Sequence, residues 1–96
     1  MRDQVSNNII INYLGPYKPL YIGLFGSYVR GEQTAESDID ILVNFKETLS
    51  LLQLIRIENE LSELLGRKVD LVTVGAIKNQ RIKKSIEKDL QTIFEA

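Results

Sequence analysis

The segment Asp38–Phe45, "DIDILVNF", narrows the possible folds more than any other part of the chain. It is short, apolar and rich in β-branched residues, as a buried strand is. Yet it opens on two aspartates one residue apart. Side chains alternate faces along a strand, so Asp38 and Asp40 point one way while Ile39, Ile41 and Val43 point the other. Two carboxylates about 4 Å apart repel by roughly 4 kcal/mol at an effective dielectric near 20. A sequence tolerates this when a divalent cation offsets the repulsion. An isolated Asp-x-Asp reads most simply as a solvated turn or strand-edge pair. Three features weigh against that here: a strand followed by Gly-Ser lies upstream, an apolar strand runs directly out of the aspartates, and a later strand carries a lone acid.

The flanking segments predict the remaining elements. Residues 2–14 place Val5, Ile9, Ile10 and Tyr13 at helical spacing, and Gly15, Pro16 and Pro19 then stop the helix. "LYIGLFG", ending at Gly26, reads as a strand; one or two helical turns from Ser27 and a polar loop to Ser37 follow. Ser50 and Gln53 have the form of a capping box, opening a helix with Leu51, Leu54, Ile55, Leu61 and Leu65 and closing on a left-handed glycine at Gly66. "KVDLVTV" is a third strand, with Asp70 its lone acid. A last helix carries Ile82, Ile86, Leu90 and Ile93 on one face. The order α-β-(α)-β-α-β-α predicts an α/β (α+β) domain spanning 1–96: a small three-stranded sheet with about four helices packed mainly on one side. If the second and third strands are neighbours in register, Asp38, Asp40 and Asp70 converge.

Composition restricts the chemistry. With no cysteine and no histidine, thiol, zinc-thiolate and imidazole chemistry are excluded, and any metal must be held through oxygen. Magnesium, manganese or calcium fit that description. The net charge of −1 gives no basic field to draw the chain onto nucleic acid. The first ten residues lack a long apolar run, so no signal peptide or membrane span is expected and a cytoplasmic location is the default.

Gly26 and Ser27 lie at a strand-to-helix junction, where unpaired N–H groups favour an anion. Glycine lets a phosphate approach the backbone, and the serine hydroxyl can donate to it. Alone, the pair would read as a turn with a helix cap. Next to the aspartates, it suggests a site gripping phosphate at one end and metal at the other, as a magnesium–nucleoside triphosphate requires. Arg30, one turn on, reads equally as a phosphate contact or as an ion-pair partner of Glu32, Glu36 or a site aspartate. Lys78 and Arg81 open the last helix and could face the triphosphate, but they read more simply as part of a solvated basic face shared with Lys83, Lys84 and Lys88. Of the tyrosines, Tyr28 alone stands near the expected site.

Gly26-Ser27, ten residues, Asp38-x-Asp40 and a later strand aspartate at Asp70 together resemble the DNA polymerase β-like nucleotidyltransferase superfamily. The shortness of the chain and the wording "GSYVRGEQTAESDIDILV … LLGRKVDLVTV" look like its minimal nucleotidyltransferase branch. The resemblance implies that core fold, with its mixed sheet, and transfer of AMP from ATP with two Mg²⁺ ions. Asp38 and Asp40 would bridge both ions and Asp70 would hold the catalytic one; Gly26, Ser27 and Arg30 would bind the nucleotide. It also implies a place in a toxin–antitoxin module, as the antitoxin to a HEPN-type RNase toxin. The chain has room for the catalytic core alone, so the acceptor hydroxyl is expected on another chain, in a hetero-oligomer with the toxin or a homo-oligomer. Two other readings stand beside this one: an antitoxin that neutralises by contact alone, and a nucleotidyltransferase acting on RNA or a small molecule.

Overall fold

Ile10 and Leu14, one turn apart, seat the first helix on the core. This helix, α1 (Gln4–Leu14), buries that pair completely, whereas Val5 at its start is exposed. A 3-10 turn over Gly15–Tyr17 ends it, and Lys18 in the left-handed region redirects the chain. Strands β1 (Pro19–Phe25) and β2 (Ile39–Phe45) follow, both largely buried. The computed structural model describes residues 4–26, 29, 38–77 and 80–96. The polar loop expected before Ser37 lies outside them; of the expected helical turn, Val29 is described, and its N–H donates to the Gly26 carbonyl at 3.1 Å.

Helix α2 (Leu51–Leu65) opens on the predicted capping box. The Gln53 N–H donates to Ser50 Oγ at 3.2 Å, and the Ser50 N–H donates to Gln53 Oε1 at 2.9 Å. Gly66, at φ 73°, closes the helix, its N–H donating to the Ser62 carbonyl at 2.9 Å. The buried stripe is Ile57 and Leu61. Leu51 and Ile55, expected to face inward, are exposed. The helix carries more apolar residues than one face can bury, and its packing against β3 (Val69–Thr73) and α1 selects the Ile57 side.

Helix α3 (Gln80–Asp89) is shorter than its periodicity predicts, and a fourth strand, β4 (Gln91–Glu95), takes the place of its last turns. Leu90 and Ile93 keep helical spacing to Ile86, but Thr92, Ile93 and Phe94 are a β-prone run. The open edge of β1 decides the outcome. β4 pairs with it antiparallel, matching Ile22 to Phe94 and Gly23 to Thr92, so that β1 exposes no unpaired edge. The Tyr21 and Thr92 hydroxyls are 2.8 Å apart across the pair.

The sheet is therefore four-stranded and mixed, in the order β3-β2-β1-β4, with β2 and β3 parallel and the other pairs antiparallel. Among the described residues it is served by three α-helices rather than about four. One face carries the main core, where Ile22, Leu24, Ile41 and Val43 meet Ile10, Leu14, Ile57 and Leu61. The opposite face is not bare: Ile86 of α3 packs there on Phe25 and Leu42. Helices thus lie on both faces, and α3 roofs the side toward which Asp40 and Asp70 point.

Candidate active site

The predicted neighbours are in register. Parallel pairing of β2 and β3 sets Asp40 directly beside Asp70, and antiparallel pairing of β1 and β2 sets Phe25 beside Asp40. The end of β1 and the starts of β2 and β3 therefore meet along one rim of the sheet. Asp38, just ahead of β2, is half-buried, as are Asp40 and Asp70. The apolar neighbours Ile39, Ile41 and Val69 are buried on the other face, which fixes the backbone that carries the acids.

The three carboxyl groups interact. Burial pushes the Asp70 carboxyl above its ordinary range, and the charge of Asp38 and a hydrogen bond with Asp38 push it the same way. Lys68 and a hydrogen bond with Asp40 pull it back in part. Two carboxyl groups can share a hydrogen bond only when one holds a proton. A proton or a bound cation between the acids would relieve their mutual repulsion.

Gly26 is locked to this cluster. It is buried at the end of β1 with φ 87°, a region that residues with a Cβ rarely adopt. A Cβ built there would collide with Asp40 Oδ2. The glycine signalled in the sequence as a place for close backbone approach is thus, in the fold, a place where the Asp40 carboxylate lies against the backbone. Ser27, Tyr28, Arg30, Ser37 and Lys78 lie outside the described residues.

Two features were not anticipated. The first is Glu58 of α2, whose Oε2 accepts the Leu71 N–H at 2.7 Å. One turn later Ser62 Oγ accepts the Val69 N–H at 2.9 Å and donates to the Glu58 carbonyl at 2.7 Å. Residues four apart on a helix thus meet residues two apart on the edge strand β3 and satisfy its outward N–H groups. These bonds hold the backbone on either side of Asp70. The second feature is a cleft of about 630 Å³ above the rim, lined by Asp40, Asp70, Glu58, Phe25 and Val72 and, from α3, by Arg81, Ile82 and Ser85. Arg81, read from the sequence either as facing a triphosphate or as part of a solvated basic face, is exposed and stands at the margin of this cleft. The signal lay in the spacing, because Arg81 and Ser85 form an i, i+4 pair beside the apolar pair Ile82 and Ile86.

As donors, the acids suit a hard cation: they offer oxygen from three side chains at one rim, and their mutual repulsion would be relieved by it. Among the described residues, however, no group of three or more acids is already arranged to hold a metal ion. The described helices include none long and apolar enough to cross a membrane.

Comparisons with known proteins show which family the chain belongs to. "Putative protein adenylyltransferase MJ0128" of Methanocaldococcus jannaschii is 62% identical over 74 residues, which is 77% of this chain and 76% of that protein. A solved toxin–antitoxin structure with AMP-PNP superposes with a TM-score of 0.82 at 29% identity, covering 94% of this chain and 73% of that one. A tri-AMPylated Shewanella oneidensis HEPN toxin in complex with an MNT antitoxin gives 0.76 at 26% identity, covering 97% and 72%. The family model described as "Nucleotidyltransferase domain" matches residues 10–93, so an acid-lined rim closed by a glycine turn is here what a member of the nucleotidyltransferase domain family builds from 96 residues.

Proposed function

We propose that this protein is an adenylyltransferase that moves AMP from Mg-ATP to a hydroxyl of a partner protein, and that the partner is a HEPN-type toxin silenced by the modification. The observation that carries the reading is the register of β2 with β3, which sets Asp40 beside Asp70 under a cleft with room for a nucleotide. The relatives support the choice of acceptor, since one is named for protein adenylyltransfer and one solved neighbour is an antitoxin bound to an AMPylated toxin.

In this reading Asp38, Asp40 and Asp70 hold the metal, two Mg²⁺ ions by resemblance to the family. Bound divalent ions would offset the carboxylates' repulsion and stabilise charge on the attacking and leaving oxygens. Gly26 leaves space for the Asp40 carboxylate and brings the β1 turn close to the phosphates, while Ser27 and Arg30 are assigned to the leaving phosphates. The acceptor oxygen forms a bond to the α-phosphorus, the bond between that phosphorus and the bridging oxygen breaks, pyrophosphate leaves and the hydroxyl proton is released. Holding both reactants in line supplies much of the acceleration.

The test is to incubate the toxin with this protein and Mg-ATP, purify the toxin away, and record its mass and RNase activity. Added AMP groups and persistent loss of activity are expected, both absent when Asp38 and Asp40 are replaced by Asn. A toxin of unchanged mass that regains activity once separated would refute the transfer and leave inhibition by contact.

A further inference from the structure

The proposed reaction assigns the acids of the sheet and the turn after β1, but it leaves the helical wall of the cleft without a role. That wall is α3, whose orientation is fixed by Ile86, buried on Phe25 and Leu42, and by Ile82 beside it. With those residues turned to the sheet, Arg81 and Ser85 stand one turn apart along the margin of the same helix and both line the cleft that holds Asp40 and Asp70. We infer that Arg81 and Ser85 are the nucleotide-phosphate contacts of α3, facing across the cleft a triphosphate held over Asp40 and Asp70.

Three observations support this assignment. The described residues lining the cleft bring three acids, Asp40, Glu58 and Asp70, and one cation, Arg81. Metal bound at the acids would offset their repulsion of a triphosphate, and Arg81 is the cation that the described lining itself sets toward such an occupant. Second, the residue is an arginine, whose planar fork can bridge two phosphate oxygens where a lysine offers a point charge. Third, Ser85 is half-buried and lines the cleft, a polar residue in a lining that also includes Phe25, Val72 and Ile82. Arg81 is exposed, as Lys83, Lys84 and Lys88 are, but of these four cations of α3 it alone lines this cleft.

The inference rests on the nucleotidyltransferase reading, and the experiment keeps the two apart. Thermal melting is recorded for wild type, Arg81→Gln, Arg81→Lys and Ser85→Ala without ligand, with Mg²⁺ alone and over a Mg-ATP titration. Wild type should be stabilised by Mg-ATP beyond Mg²⁺ alone; no such shift in wild type would sink the functional reading itself. Given that shift, Arg81→Gln should keep the Mg²⁺ response and bind Mg-ATP on the order of 10- to 100-fold more weakly, the loss expected for a charge-assisted hydrogen bond. Arg81→Lys should recover part of the affinity, and Ser85→Ala should lose several-fold. A structural role alone would lower the ligand-free melting temperature and leave nucleotide affinity unchanged, which would overturn the proposal. Unchanged Mg-ATP affinity with a raised KM for the protein acceptor would overturn it too, assigning α3 to the acceptor. Should Arg81→Gln fail to fold, unchanged affinity in Arg81→Lys and Ser85→Ala carries the same refutation.

Discussion

Replacing Gly26 by alanine should damage the protein by two separable routes. The backbone at φ 87° is unfavourable for any residue with a Cβ, at roughly 1–2 kcal/mol. The new methyl also overlaps Asp40 Oδ2, so the carboxylate must leave its rotamer, at roughly 1 kcal/mol. The sum is about 2–3 kcal/mol. For a domain of this size each kcal/mol corresponds to about 4–8 °C, so the melting temperature should fall by roughly 10–20 °C. The displaced carboxylate is also one of the proposed metal ligands, and a misplacement on the order of 1 Å can cost about 100-fold in turnover.

A double-mutant cycle separates the routes. In an Asp40→Ala background the carboxylate is gone and Gly26→Ala should cost only the backbone term. Denaturant unfolding of the four proteins should therefore give a coupling near 1 kcal/mol, above the roughly 0.3–0.5 kcal/mol scatter of independent sites. If Gly26→Ala costs the same in both backgrounds, contact with Asp40 is not what keeps position 26 a glycine.

Three further outcomes follow from the same geometry. Asp40→Asn should abolish the Mg²⁺-dependent part of the melting temperature; a full magnesium shift in the variant would remove Asp40 from the metal site. Because the Asp70 carboxyl is raised, its contribution to metal-free stability is present at acid pH and is lost as pH rises through its folded value. Asp70→Asn in chelator should thus melt higher than wild type near neutral pH, with the gap closing toward about pH 4; a constant gap would contradict this. Glu58→Ala removes the acceptor of the Leu71 N–H and should cost about 1–3 kcal/mol in denaturant unfolding, with Glu58→Gln milder because the amide oxygen can still accept; equal costs would assign the effect to charge.

The acids were legible because their signal is local. Alternation puts Asp38 and Asp40 on one face whatever the partner strand, and one assumption about register added Asp70. The ends of α2 were legible for the same reason: Ser50 with Gln53, and Gly66, act within one turn of the helix they bound. What escaped depends on distant partners. "QTIFE" satisfies a helical spacing and a strand propensity together, and the free edge of β1, some 70 residues away, chooses between them. Ile57 rather than Ile55 is buried because α1 and β3 lie on that side, and nothing within α2 says so. Glu58 reads as one of several surface acids on a helix until β3 is brought alongside with an N–H to fill.

The site is consequently firm on one side and lightly held on the other. Asp40 and Asp70 ride on strands whose opposite faces are buried in the main core, and β3 is further pinned by Glu58 and Ser62. Their backbone cannot shift without disturbing Ile41 or Val69, so the acids are held against their own repulsion by apolar packing they do not touch. The roof is different. Of α3, Ile86 alone among the described residues is buried, in a small cluster with Phe25 and Leu42. Segments with few buried apolar residues open at lower free energy than the core. A rigid acidic floor would preserve the spacing on which the proposed metal binding depends. A helical wall anchored at so few points can take up the change from an empty cleft to one holding a triphosphate, without that cost reaching the sheet.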